Sequence, residues 1–213
     1  MCIKANRYRY NYGRQANRTI RDLLLPEISE IPNWVNSFDL DCYVESVKPF
    51  TSSDTQPLDV STWRPFELQK LFEVKKGKRL TKANMTHGNT PFIGATDSGN
   101  GVTAMIGQAP IHKGNTITVP YNGSVAEAFY QPVPFGATDD VNVLYPKFKL
   151  TPAIAMFLIT IIRQEKYRFN YGRKWKLERM KHSYILLPVL QDGTPDWNFM
   201  EQYIKTLPFS SQL

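Results

Sequence analysis

YRFNYGRKWKLERMKHSYILLPVLQDGTPDW, residues 167–197, is a stretch the chain has already spelled once in nearly the same form. Residues 8–34 run YRYNYGRQANRTIRDLLLPEISEIPNW. YRYNYGR returns as YRFNYGR, LLLP as ILLP, and PNW as PDW, in the same order and at similar spacing. Self-similarity of this kind is the first organising feature of a chain, because each copy is a structural unit or the edge of one. The first copy has only residues 1–7 before it, whereas the second follows a domain's worth of sequence. Either a structural edge has been duplicated, or the chain starts in the tail of one unit and then carries a second unit complete.

Charge follows the repeat. The chain of 213 residues carries +7. Residues 1–21 hold six Lys/Arg and no acid, and residues 163–182 hold eight Lys/Arg and two Glu, so each stretch is +6 and the remainder is −5. Cations interleaved with Tyr, Phe and Trp suit a polyanion, since they displace phosphate counterions while the rings offer stacking surfaces. The alternative is a solvated face. At 42% hydrophobic and 13% aromatic, the chain can bury a core. It has no long apolar run and no signal-peptide pattern, so the expectation is a soluble, cytoplasmic protein with no membrane partner. Cys2 and Cys42 stand alone, as reduced thiols do.

Taken in order, residues 35–47 (VNSFDLDCYVESV) read as a short helix and residues 48–62 as a Ser/Thr/Pro/Asp-rich linker, with a new domain starting at Trp63. WRPFELQKLFEVKKG predicts a helical turn and then a strand ending at Gly77. PFIGAT, GVTAMIG, NTITVPY, SVAEAFYQ and DVNVLYP, between 91 and 146, are short β-branched and aromatic runs set off by Gly, Asn and Pro. Asn122-Gly123 reads as a tight hairpin turn, because both residues tolerate positive φ. Thr151-Pro152 caps a strong helix, with Ile154, Phe157, Leu158, Ile161 and Ile162 on one side. Leu177 and Met180 suggest a short helix, and SYILLPV a closing strand. Trp197, Met200, Ile204 and Leu207 form a brief a/d stripe before Pro208. Such a stripe serves packing within the domain or contact with another helix. The fold class is therefore α+β: a curved, mostly antiparallel sheet with one buried supporting helix and short helices at its ends. The expected divisions are 1–62 (repeat tail, short helix and linker), 63–195 (principal domain) and 196–213 (start of a spacer or dimerisation helix).

Catalytic patterns are missing. His87, His112 and His182 lack metal-ligand spacing, which points to surface or hydrogen-bonding roles. The Gly-x-Gly-x-x-Ala at 99–104 lacks the acid and the following helix of a dinucleotide site and reads as a turn. Asp139-Asp140 either caps a turn or holds a metal. No cofactor and no resident metal are implied.

Residues 63–207 resemble a target recognition domain of the specificity subunit of Type I restriction–modification systems. The opening FELQKLFEVKKGKRLTK carries the likeness, followed in order by PFIGATDSGNGV, ITVPYNGSVAEAFYQ, FGATDDVNVLYP, the apolar helix, NYGRK and ILLPVLQDGTPDW. Such subunits carry tandem recognition domains separated by helices, each domain reading half of a split DNA site. The resemblance implies a half-length version whose residues 8–34 are the vestige of a preceding domain. It also implies a non-catalytic role: reading double-stranded DNA for a methyltransferase subunit and, in a full system, a translocating nuclease subunit. A homodimer of two copies is one way to rebuild a two-domain reader; a single copy reading one half-site is the alternative. Phosphates are expected at Lys78, Arg79, Lys82, Arg173, Lys174 and Lys176, and base edges or the groove at Asn84, Asn100, Tyr121, Asn122 and Tyr171. Tyr171 and Trp175 either stack on nucleic acid or pack.

Two other readings compete. One is a small metal-dependent nuclease built on Asp139 and Asp140. The other is a protein-interaction module whose basic ends dock an acidic partner.

Overall fold

The computed structural model describes residues 58–169, 172–207 and 210. The chain divides into two units, Met1–Pro49 and Phe50–Leu213, and the described residues all belong to the second. The first repeat copy, the helix expected over 35–47, most of the linker, both cysteines and Tyr171 lie outside the described residues.

Alternation builds the central sheet. In β2 (Phe72–Lys76), Phe72 and Val74 are buried while Glu73, Lys75 and Lys76 are exposed, the pattern of a strand with one buried face. It pairs with β8 (Val141–Pro146), which pairs with β5 (Thr116–Pro120), and that with β6 (Phe129–Gln131). All three ladders are antiparallel, in the order β2-β8-β5-β6. The residues of β5 are buried throughout and those of β8 nearly so, because this sheet is covered on both faces.

A second sheet has the order β4-β3-β7, from β3 (His87–Ile93), β4 (Val102–Ile106) and β7 (Gly136–Ala137). The β3–β4 pair is antiparallel and β3–β7 parallel. Ile93, Phe135 and Ala137 cluster with Val141, Val143 and Tyr145, the outer face of β8. A third ladder joins β1 (Arg64–Glu67) to β9 (Tyr184–Leu187), so the second repeat copy closes onto the start of the domain. Between β1 and β2 lies the one-turn α1 (Leu68–Leu71), whose first N–H donates to the Ser183 carbonyl at 2.9 Å. The class is α+β and mostly antiparallel, as expected, with the strands dealt into three sheets.

The helix α2 (Pro152–Gln164) is the main support. Thr151 Oγ1 accepts from the Ile154 N–H at 3.3 Å, and Pro152 takes the first helical position. Ile154, Phe157, Leu158 and Ile162 are buried against Val74, Ile117, Val119 and Leu144 of the central sheet. Each such side chain contributes about 1.5–3 kcal/mol on leaving water. Next come α3 (Leu177–Lys181) and α4 (Trp197–Thr206). The a/d stripe of α4 is used inside the domain: Met200 and Ile204 are buried, Trp197 stacks on Phe148 at 3.9 Å, and Tyr203 meets Phe157 edge-on at 6.1 Å.

One local expectation is corrected. β5 and β6 do form an antiparallel hairpin, but not through a two-residue Asn122-Gly123 turn. The connection is the loop 121–128. Val125, Ala126 and Ala128 are buried in the main core, so burial holds this segment out of the ladder that its β-like composition suggests. Gly123 has the positive φ that turns require, at 69°, and Ala126 has one of 61°.

Candidate nucleic-acid interface

Strand direction brings several polar loops to one end of the sheets. β2 finishes where β8 begins, since Lys76 pairs with Asn142. β5 finishes there too, with Pro120 opposite Val141. β3 and β7 run parallel and finish together at Ile93 and Ala137. The backbone stitches these ends: Gly77 N–H donates to Val141 O at 3.0 Å, Lys78 N–H to Ala137 O at 2.8 Å, Thr138 N–H to Ile93 O at 2.9 Å, and Tyr121 N–H to Asp140 O at 3.0 Å. Loops 94–101, 121–128 and 138–140 therefore emerge together, beside the chain leaving β2 at Lys78 and Arg79. Loop 121–128 touches loop 94–101, because a Cβ on Gly123 would lie 3.2 Å from Ala95.

Within this end, Asn122 Nδ2 donates to Asp140 Oδ1 at 3.1 Å. The Lys76 ammonium sits 5.2 Å from the Tyr121 ring centre. A hydrogen bond to Tyr121, with the nearby charges of Asp139 and Asp140, raises the Lys76 pKa above its usual value. Asp139 and Asp140 thus belong to a turn that braces the loop. Among the described residues, no group of three or more His, Cys, Asp or Glu is placed to hold a metal ion.

The predicted residues divide. Lys78, Arg79, Tyr121 and Asn122 meet at the loop end, whereas Asn100 does not. Asn100 is exposed, but its amide donates to the Tyr130 carbonyl at 3.0 Å, its own carbonyl accepts from Gln131 Nε2 at 2.9 Å and its backbone takes a φ of 53°, so it lies along the edge strand β6, toward the Thr116 end of β5 and away from Pro120. Asn84 lies elsewhere: its carbonyl accepts from Gln108 Nε2 at 2.7 Å, next to the Thr86–Gly107 hydrogen bond that precedes β3. That is the opposite end of the β3–β4 hairpin, roughly 15 Å away along the strand. Lys82 shares its 3-10 turn and lies on that flank.

The second basic segment reaches the loop end through Trp175. Its carbonyl accepts from Asn142 Nδ2 at 3.3 Å, on the rung opposite Lys76. The indole itself packs. It is fully buried, stacks on Phe169 at 4.6 Å and donates to Ser183 Oγ at 2.8 Å. Arg173 lies against the other ring of that stack, 5.8 Å from the Phe169 centre. Sequence arithmetic overstated the charge this segment offers. Arg163 and Lys166 engage the buried Glu127, Arg168 pairs with Glu165 at 2.7 Å, and Lys181 with Glu178 at 2.8 Å. Arg179 donates to the Lys174 carbonyl at 2.8 Å. Lys176 is exposed as the residue preceding α3.

The sheets, mostly antiparallel, thus gather polar and cationic loops at one end, where Asp139 and Asp140 accept hydrogen bonds from Thr138 and Asn122. The chain belongs to the Type I restriction modification DNA specificity domain family, whose pattern covers residues 60–213. It is 38% identical over 210 residues to the Type II restriction enzyme BgcI specificity subunit S.BcgI of Heyndrickxia coagulans. That match takes in 92% of this chain but only 60% of the relative's length. The fold is also like that of the Type I restriction–modification S subunit from M. genitalium, with a TM-score of 0.53 and 18% identity over 68% of this chain and 38% of that one. The HsdS subunit from Thermoanaerobacter tengcongensis gives 0.50 and 14% over 81% and 44%. Specificity, not catalysis, is what this family supplies. No helix among the described residues is long and apolar enough to cross a membrane.

Proposed function

We propose that this chain reads duplex DNA for a restriction–modification system, with the loop end of its sheets entering a groove. Lys78, Arg79, Arg173, Lys174 and Lys176 hold phosphates and set register. Tyr121 and Asn122 present groups to base edges at the loop end, Asn100 offers a further contact from beside β6, and Tyr171 is a further candidate for the groove. Lys82 and Asn84, on the flank, meet backbone farther along the duplex. A methyltransferase subunit, and a translocating nuclease subunit in a full system, act on the DNA so positioned, and two copies pair to read two half-sites. Residues 63–195, with α4 packed onto them, are the reading domain, and residues 8–34 repeat the sequence of its closing segment. The observation that carries this reading is the convergence of the polar loops at the shared end of β2, β3, β5 and β7. Phosphate contacts position a protein, and only groups aimed at base edges specify sequence; the loop end offers both kinds.

Selection from a random duplex library at moderate salt tests it. The expected result is enrichment of a short motif, present once for a single reader and twice for a pair. Retention of duplexes with no enriched motif, or affinity flat from low to moderate salt, would overturn it. The nuclease reading has no such support, since Asp140 is bonded to Asn122 as part of the loop brace.

A further inference from the structure

The opposite end of the central sheet carries a second charged feature. A cleft of about 720 Å³ opens there between β2, the segment around 111–113 and the end of β8. Lys75, Lys113 and Lys147 line it, with Ile111, Tyr145 and Pro146. The three lysines come from three separate stretches of chain, and two of them converge on one aromatic ring. Lys75 Nζ lies 4.8 Å and Lys113 Nζ 5.7 Å from the Tyr145 ring centre, while Lys147 Nζ donates to the Gln69 carbonyl at 2.7 Å. The ring is held from behind, because the Tyr145 hydroxyl meets Nδ1 of the buried His112 at 2.7 Å. Glu73 pairs with Lys75 at 3.2 Å, but both side chains are about half exposed, so water weakens that pair.

We propose that this cleft docks an acidic segment of a protein partner, one carrying carboxylates beside apolar side chains. Charge complementarity calls for an anion: three ammonium groups face one carboxylate. The apolar wall selects the kind of anion. Ile111 is 52% exposed and Pro146 lies beside it in the lining; a leucine or valine of a peptide fills such a wall, and a phosphodiester chain does not. Position agrees, because Tyr145 and Pro146 are at the far end of β8 from the loops, roughly 13–15 Å along the strand. Lys75 is the lining residue nearest the loop end, one position before Lys76, but its ammonium turns back over the Tyr145 ring. The surface is independent of the DNA-reading proposal and stands or falls separately.

The test uses the whole chain and a labelled peptide of repeated Glu-Glu-Leu, followed by fluorescence anisotropy at moderate salt. DNA affinity is measured in parallel. In the Lys75→Glu/Lys113→Glu variant, peptide affinity should fall about tenfold or more, as the loss of two partly shielded ion pairs requires, with DNA affinity unchanged. Lys70→Glu/Lys205→Glu, at two exposed lysines outside the cleft, makes the same change of four charges and should leave both unchanged. If the double Glu variant fails to fold, Lys75→Gln/Lys113→Gln serves, with a loss of about threefold. The proposal is overturned if the unmodified chain ignores the peptide, or if Lys70→Glu/Lys205→Glu loses as much. It also falls if DNA affinity drops alongside, which would make the cleft a seat for duplex backbone.

Discussion

Gly77 governs the loop end through an atom it lacks. A Cβ there would lie 2.1 Å from the Thr138 carbonyl oxygen and 2.6 Å from that of Ala137, a collision with backbone that no side-chain rotation relieves. Gly77→Ala should therefore push the exit of β2 away from the 137–138 segment. The cost should be about 1–3 kcal/mol, the range for overpacking a well-filled site, read as a lower urea midpoint. Because Lys78 and Arg79 follow directly, DNA affinity should fall further than the stability loss alone explains. His112 makes a second prediction. Burial, and then the nearby charge of Lys75, holds its pKa below the ordinary 6.5. The unfolded chain therefore takes up a proton before the folded one as pH drops. Stability is full above about 6.5 and declines below it, since the state binding more protons gains on acidification. Urea midpoints at pH 5.5 and 7.5 should show this decline, and His112→Phe should flatten the part of it due to this residue.

At the scale of elements, α2 gives the cleanest test. Thr151→Ala removes the acceptor for the Ile154 N–H and should cost about 1 kcal/mol, with DNA affinity unaffected while the domain stays folded. This helix was fully legible because cap, proline and apolar spacing all agree. β2, β5 and β8 were legible for the same reason, their alternation or continuous burial matching their composition. The two-residue β7 was not, since Gly136-Ala137 carries no periodicity at all. Nor was loop 121–128, where apolar SVAEAF looks like strand but is buried against the core instead of paired. Site residues were legible by type and less so by place. Polar loop composition named Tyr121 and Asn122 as base contacts, and the fold brings both to the end where Lys78 leaves β2, whereas Asn100 lies against Tyr130 and Gln131. Nothing local announces that Asn84 is tied to Gln108 at the other end of its hairpin. Likewise, residues 163–182 are rich in cations, yet half of their Lys and Arg are held by Glu127, Glu165 and Glu178, and only the three-dimensional arrangement assigns those partners.

For the molecule as a whole, the two basic regions make opposite predictions about salt. Each phosphate neutralised releases counterions and steepens the fall of log affinity with log salt by about 0.9 on B-form DNA. Arg79 and Lys176 are exposed, lie outside the ion pairs among the described residues, and sit on the two segments that meet at the rung of Lys76 and Asn142. Arg79→Gln/Lys176→Gln should therefore weaken binding to every duplex and reduce the salt slope by about 2, while the urea midpoint stays put. Lys75→Gln/Lys113→Gln removes the same charge from the far cleft and should leave the slope where it was. Net charge is equal in the two variants, so only the location of the lost cations separates them. A slope that responds to both alike would mean that DNA is drawn to the chain's overall positive charge, with no seat at the loop end. A slope that responds only to the first pair ties the duplex to the place where the polar loops converge.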